Sequence, residues 1–343
     1  FDLNDKENCI YSPDVISFAR EKGYFDGVNK DFSFSRAYAP LGFSERRQCE
    51  ARVWSYFNMF TDYGNEYLPY ILGETDEPMP LYVKPNRKVS VQDVKDAMRD
   101  HYEGTPLDLS KDFGAGPYHS PYRLSPLGFE SEGVEYFHER PISTQQSGFV
   151  FVAQMRDNLP DAVGGVLWFG VDDANMAVFT PVYCCTDKVP VCYTRVDGAD
   201  YITFSWNSSF WVFNWVSNMV YPRYDLMIGD VKALQAGLET SFNNAQAGIE
   251  QAALQLLEKD PEAAKALLTE YTNQMAQSTW DAWKRLGEFL VVKYNDGVVR
   301  RMKDGKFERN SIGQPAGVIR VGYPQDFLDE YARQTGDRYK MPK

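Results

Sequence analysis

Residues 148–183 place the tightest limit on what this chain folds into. Gly148-Phe-Val-Phe-Val-Ala-Gln-Met-Arg156 and Gly165-Val-Leu-Trp-Phe-Gly-Val171 are short runs rich in branched and aromatic residues, separated by the turn sequence DNLPDAVGG. Runs of that length between turn residues read as strands, and a third spans Ala177 to Tyr183. Three consecutive strands imply an antiparallel sheet. Because the runs are continuously apolar rather than alternating, the sheet is expected to have both faces largely covered.

The rest of the chain supplies helices. Val231, Leu234, Leu238, Phe242, Ala245, Ile249, Ala253 and Leu256 recur every three or four residues, the period of a long amphipathic helix. Pro261 begins another that runs to about Tyr294, with Leu267, Tyr271, Met275, Ala282 and Leu286 inward, so the two make a helical hairpin. Upstream, Ser12-Pro13 precede a short helix ending at Gly23. Ser44 caps a second, with Arg46, Arg47 and Arg52 on its wetter side. Ser90, with Asp93 three residues on, signs a capping box for a helix closed by Gly104. Gly114 to Arg123 is too rich in Gly, Pro and Tyr to be regular and is a loop presenting polar side chains. The tail from Asn295 reads as loop or short strand. The fold class is therefore α+β, with residues 1–205 holding the sheet and 206–343 a mainly helical region packed on the same domain.

Charge and cysteine content narrow the function. A net charge of -12 leaves no basic surface to neutralise phosphates, which argues against nucleic acid. No run of eighteen apolar residues is present. The nearest, Phe204 to Val220, is broken by Asn207, Ser208, Ser209, Asn214, Ser217 and Asn218 and reads as a buried aromatic element. The five cysteines, Cys9, Cys49, Cys184, Cys185 and Cys192, have no metal-ligand spacing, and packing is their default role. No HExxH, GxSxG, P-loop or GxGxxG pattern occurs. A Cys–His pairing would have to draw on His101, His119 or His138, with no third orienting residue identifiable.

Four ordered segments carry a more specific signal: RDHYEGTPLDLS and AGPYHSPYR within Lys88 to Arg123, then RPISTQQSG and QMRDNLP within Glu139 to Pro160, followed by GGVLWFGVDD. In order and spacing they resemble the dipeptidases of the dipeptidase A and secernin group, which are N-terminal-nucleophile hydrolases. The resemblance is specific over the first half of the chain and looser over the helical second half. It implies a cysteine-type dipeptidase on an αββα sandwich of two sheets between helix layers. The free α-amino group of the nucleophile serves as its own base, so no metal or cofactor is implied.

No residue here matches that nucleophile. The chain opens with Phe1, and Cys9, in NDKENCIYSPD, reads as structural. The expectation is a processed or shortened chain that lacks the catalytic segment and is inactive alone, with that segment as its partner. The catalytic assignment is left empty, and the residues here would supply the cleft. Arg123 and Arg140 would hold a dipeptide carboxylate as a bidentate pair, or else form buried ion pairs with Asp100, Glu103 or Glu139. His119 and Ser143 complete the substrate-binding set, with Ser143, Thr144 and Gln154 alternatively serving strand ends and turns. Asp172-Asp173 reads as a turn rather than a catalytic dyad, since neighbours on a strand point to opposite faces.

A sheet lacking its partner should present an open edge or apolar face, through which a homo-oligomer could form. The alternative is a non-enzymatic binding protein using Trp206, Phe210, Trp211, Phe213 and Trp215 as a platform. A secreted or cell-envelope setting is placed ahead of a cytoplasmic one, with the compartment left open.

Overall fold

The computed structural model describes Glu7 and residues 10–342, so Phe1 and Cys9 lie outside the described residues. The chain forms two compact units, one of Phe1–Asn86 with Pro126–Arg140 and one of Arg87–Ser125 with Pro141–Lys343.

In the first unit, α1 (Val15–Glu21) starts later than expected. Asp14 takes the N-cap position, while the Ser12 hydroxyl donates to the Asp14 carboxylate instead of capping. The second helical stretch runs from Phe43 through a π-helical turn, Arg46–Glu50, into α2 (Ala51–Phe60). That turn overturns the expected wet face. Arg46 and Arg47, at its start, are only 15% and 14% exposed. Arg46 donates to Asp76 at 2.6 Å and lies 4.8 Å from the Tyr70 ring centre, while Arg47 pairs with Glu139. A hairpin of β1 (Gly128–Ser131) and β2 (Val134–Phe137) completes the unit. Its turn places both Glu132 and Gly133 at positive φ, as a two-residue hairpin connection requires.

The second unit opens with α3 (Val91–Ala97), and its capping box forms as written: Asp93 N–H donates to the Ser90 hydroxyl, and Ser90 N–H to the Asp93 carboxylate. The helix stops at Ala97 rather than at Gly104, and the chain leaves through Tyr102, fully buried at φ +67°. The three strands are β3 (Phe149–Met155), β4 (Gly165–Val171) and β5 (Thr180–Tyr183), antiparallel in the order β3-β4-β5. Behind them stand α4 (Ser209–Val220) and the hairpin of α5 (Tyr224–Leu257) and α6 (Pro261–Tyr294). Asp260 caps α6 by accepting from Ala263 N–H at 3.1 Å. Helices α4 and α6 approach so closely that a Cβ on Gly287 would lie 2.1 Å from the Trp215 ring.

The register decides which side chains meet the helices. Val150, Val152 and Gln154 stand on one face with Gly170, Trp168 and Val166 of β4 and Tyr183 of β5. That face is closed. The Lys95 ammonium sits 3.4 Å from the Trp168 ring centre, and the Gln154 carbonyl accepts from Trp168 and Gln246, each at 3.0 Å. The opposite face carries Phe149, Phe151, Ala153 and Met155 beside Phe169, Leu167 and Val182, without a polar side chain other than Thr180. Here the expectation of two covered faces fails at β3, where Phe149, Phe151 and Met155 are 60%, 49% and 71% exposed. β3 is also an edge strand, so it lacks a neighbour that would help shield these rings.

The tail differs from expectation as well. Beyond two short strand pairs, Val299–Arg300 with Val318–Ile319 and Met302–Lys303 with Lys306–Phe307, residues Gln325–Thr335 form a helix, α7. Phe327, Leu328, Tyr331 and Ala332 recur there at helical spacing, but over little more than one turn.

Candidate functional site

Three of the four candidate substrate residues lie in the second unit, on two loops tied together: Gln145, two residues beyond Ser143, donates its amide to the Arg123 carbonyl at 3.1 Å. Arg140 belongs to the first unit, between Glu139 and Pro141, and is partly buried.

The first loop, residues 113–123, is shaped by Gly116, at φ +65° with ψ −171°, a conformation that favours glycine. His119 follows in the left-handed region at φ +51°. That turn aims its imidazole at two carboxylates: Nδ1 lies 2.5 Å from Asp225, in the first turn of α5, and Nε2 lies 3.3 Å from Asp326, in the first turn of α7. The hydrogen bond to Asp225 is the main cause that holds the imidazole above its ordinary pKa, with Asp326 adding to it against a smaller effect of burial.

Arg123 is 6% exposed and its guanidinium is already engaged. It donates to Asp112 at 2.7 Å and to the carbonyls of Leu109, Ser120 and Tyr122 at 2.6, 3.3 and 3.2 Å. The ion-pair alternative thus takes a partner, Asp112, that was not among those weighed. The fork fastens both ends of the loop.

On the second loop, Ser143 is 1% exposed, its N–H bonds to the Asp100 carbonyl at 3.0 Å, and its hydroxyl has no hydrogen-bond partner. Thr144 donates to Gln146, a turn role, and Gln154 serves the sheet.

Next to these loops lies a buried polar centre around Asp172 and Asp173. After β4 the chain turns through Asp172, at φ +67°, and Asp173, both at most 2% exposed. Asp172 accepts from Asn214 at 2.8 Å and Ser217 at 2.6 Å, and Asp173 from Met176 N–H at 3.2 Å and Tyr221 at 3.1 Å. The two carboxylates therefore address different groups, as the turn reading expects. Burial raises both acids, and for Asp172 the neighbouring charge of Asp173 raises it further. Lys232, lowered to about 8 mainly by burial, bonds the Asn175 carbonyl at 2.5 Å, and Asn175 donates to Tyr224 at 2.9 Å. The Tyr122, Tyr221 and Tyr224 rings run in series from this centre to the His119 loop, 5.5 and 5.9 Å apart. Two adjacent aspartates with amides and hydroxyls one helix away are a signal of a satisfied buried network, and pairing them with Asn214 and Ser217 needed the three-dimensional fold.

Cys49 and Cys184 are exposed, Cys185 is partly buried and Cys192 buried, and burial raises the last two, the reverse of what a nucleophile needs. His101 is buried, with Nδ1 2.9 Å from Glu103. The His138 ring lies tilted 5.4 Å from Phe129 in the first unit. Among the described residues, no group of three or more His, Cys, Asp or Glu side chains is arranged to hold a metal ion. No helix is long and apolar enough to cross a membrane among them.

The Trp-rich segment divides. Val212, Phe213 and Val216 are buried, with Phe213 stacked on Trp283 at 4.5 Å, whereas Phe204, Trp211, Asn214, Trp215, Asn218 and Met219 line an open groove of about 380 Å³.

The chain belongs to peptidase family C69, whose model matches residues 1–237. It is 30% identical to a probable dipeptidase of Salmonella dublin over 183 residues, 53% of this chain and 36% of that protein. It is 24% identical to probable dipeptidase B of Lactococcus lactis over 277 residues, 78% of this chain and 50% of the relative. To dipeptidase A of Lactobacillus helveticus it is 21% identical over 213 residues, covering 62% and 39%. The chain thus spans between about a third and a half of the curated relatives it matches.

Proposed function

We propose that this protein is a cysteine-type dipeptidase of the N-terminal-nucleophile kind, in which residues 1–343 supply scaffold and substrate contacts and the nucleophile lies outside them. The observation that carries the reading is the apolar outer face of the sheet. In the sandwich that the family resemblance implies, a second sheet packs on the face that bears Phe149, Phe151 and Met155, and those side chains are exposed here with the β3 edge unpaired. Contiguous exposed rings on an unpaired strand are what a protein normally covers.

The substrate side rests on the loops. On them the unpartnered Ser143 hydroxyl and the His119 imidazole offer hydrogen bonds to a dipeptide. Arg123 acts indirectly, by holding the loop that presents His119. The nucleophile, once bound to substrate, needs only its own amino group as base, so neither a histidine nor a metal has to come from this chain. The deciding experiment is to express the protein with its native upstream sequence and assay dipeptide hydrolysis before and after replacing the first mature cysteine. Unchanged turnover after the replacement would sink the reading.

A further inference from the structure

The tail helix α7 has no buried residue, yet it is tied to the body at one corner. Its first turn supplies Asp326 to His119 Nε2 at 3.3 Å, while the same ring meets Asp225 through Nδ1 at 2.5 Å. Just upstream, the Gly322 carbonyl accepts from Tyr118 Oη at 3.1 Å, and the Tyr323 ring lies 6.1 Å from that of Tyr118. From Tyr323 the contacts continue to Phe327 and Tyr331 at 5.1 and 6.5 Å, within the tail itself. The corner made by Tyr118 and His119 is where the tail meets the loop.

We propose that residues 322–335 are a releasable latch on the 113–123 loop, closed when His119 is an imidazolium clamped between Asp225 and Asp326 and opened when it is neutral. The argument is geometric. A neutral imidazole carries one N–H, so with a carboxylate at each nitrogen only one contact can be a hydrogen bond and the other sets a lone pair against an anion. An imidazolium donates to both.

The groups around the ring leave this clamp as the acting pair. Helix α5 contributes Asp225, and ahead of it Arg223 is committed to the Tyr294 carbonyl. Helix α7 contributes Asp326, and the loop itself Tyr118 and Ser120. The two carboxylates raise the pKa of His119. A raised folded value means that the latch is fully held below the ordinary histidine value of about 6.5 and is lost as pH rises through the raised one. The consequence for the enzyme, that His119 is free for substrate only with the latch open, rests on the substrate-contact reading above.

Amide hydrogen exchange of residues 327–335 in the whole protein, corrected for intrinsic exchange rates, tests the latch without any dipeptide. Protection should fall about fivefold between pH 5.5 and 8.5, the size of an exposed ion pair's contribution, with protection across α6 unchanged. In Asp326→Asn the step should vanish and protection stay low throughout. Protection independent of pH in the wild type, or a full step retained in Asp326→Asn, overturns the proposal. Should that variant not fold, the His119 titration by NMR in the wild type decides, and a midpoint at or below the ordinary value overturns it. A working latch in a protein without dipeptidase activity would remove only the substrate reading, and an active dipeptidase with a pH-indifferent tail only the latch.

Discussion

Arg156 and Glu250 close a two-bonded fork, Nη1 to Oε2 at 2.8 Å and Nη2 to Oε1 at 2.7 Å, joining the end of β3 to the C-terminal part of α5. Tyr183 Oη at 3.0 Å and Gln246 Nε2 at 2.9 Å donate to the same carboxylate, so sheet and helix layer meet at one acceptor.

Breaking that fork should destabilise the protein. Glu250→Ala leaves a guanidinium only 21% exposed without its partner, and the expected cost is about 2 kcal/mol, below the range for fully buried pairs because Arg156 keeps some solvent. Arg156→Lys should not restore it, since an ammonium cannot reproduce the fork. Urea unfolding measures both. Although burial opposes it, bonding to Arg156 holds Glu250 below its ordinary value. Its contribution is therefore present above the unfolded pKa of about 4.3 and is lost as pH falls through the lower folded value, so the Glu250→Ala deficit should shrink in acid.

The Asp172–Asp173 pair should act in the opposite sense. Both acids are raised by burial, so between the unfolded and folded values the unfolded chain ionises more readily and stability falls as pH rises. In Asp172→Asn the fall from about pH 4 upward should be shallower, by on the order of 1 kcal/mol per pH unit at most. The left-handed backbone at φ +67° accepts Asn, and the Ser217 hydroxyl can turn to accept. An unchanged slope in thermal melts across pH would refute this.

Gly287→Ala should lower stability by about 1–3 kcal/mol, because the new methyl would fall 2.1 Å from the Trp215 ring, in the body of a packed side chain. Trimming the opposing ring, as Trp215→Leu, should make the glycine replacement less costly than it is alone, as a double-mutant cycle by denaturation would detect.

Covering of the outer sheet face is measurable residue by residue. In the protein with its native upstream sequence, Phe151→Ala should cost about 3–5 kcal/mol, as for a core aromatic, if a second sheet packs there. A loss within about 0.5 kcal/mol, typical of a surface position, would mean that the face stays open.

Local signals were legible where a few adjacent residues decide the outcome. Ser90 and Asp93 are three apart, and their capping box formed. The α5–α6 hairpin was readable because a 3.6-residue apolar period repeats over many turns, and Pro261 marked its second start. The π turn at Arg46–Glu50 has no such signature, nor do the distant partners that hold Arg46 and Arg47 against the unit. Helix α7 departs from the expected loop or strand because its apolar period repeats over little more than one turn, beside a tail otherwise rich in polar and turn residues. For the candidate site, the sequence places His119 and Arg123 in an irregular loop but does not show their partners. Asp112 is eleven residues from Arg123, and Asp225 and Asp326 are more than a hundred from His119.

The α+β class, the three antiparallel strands, the helical hairpin and membership of a peptidase family are written in short-range periodicity or ordered motifs. Which face of the sheet the helices close, which carboxylates surround His119 and how the Asp172–Asp173 charge is satisfied are settled by long-range packing. Those outcomes depend on side chains brought together across long separations, and nothing in a local pattern says which distant residue will be the neighbour.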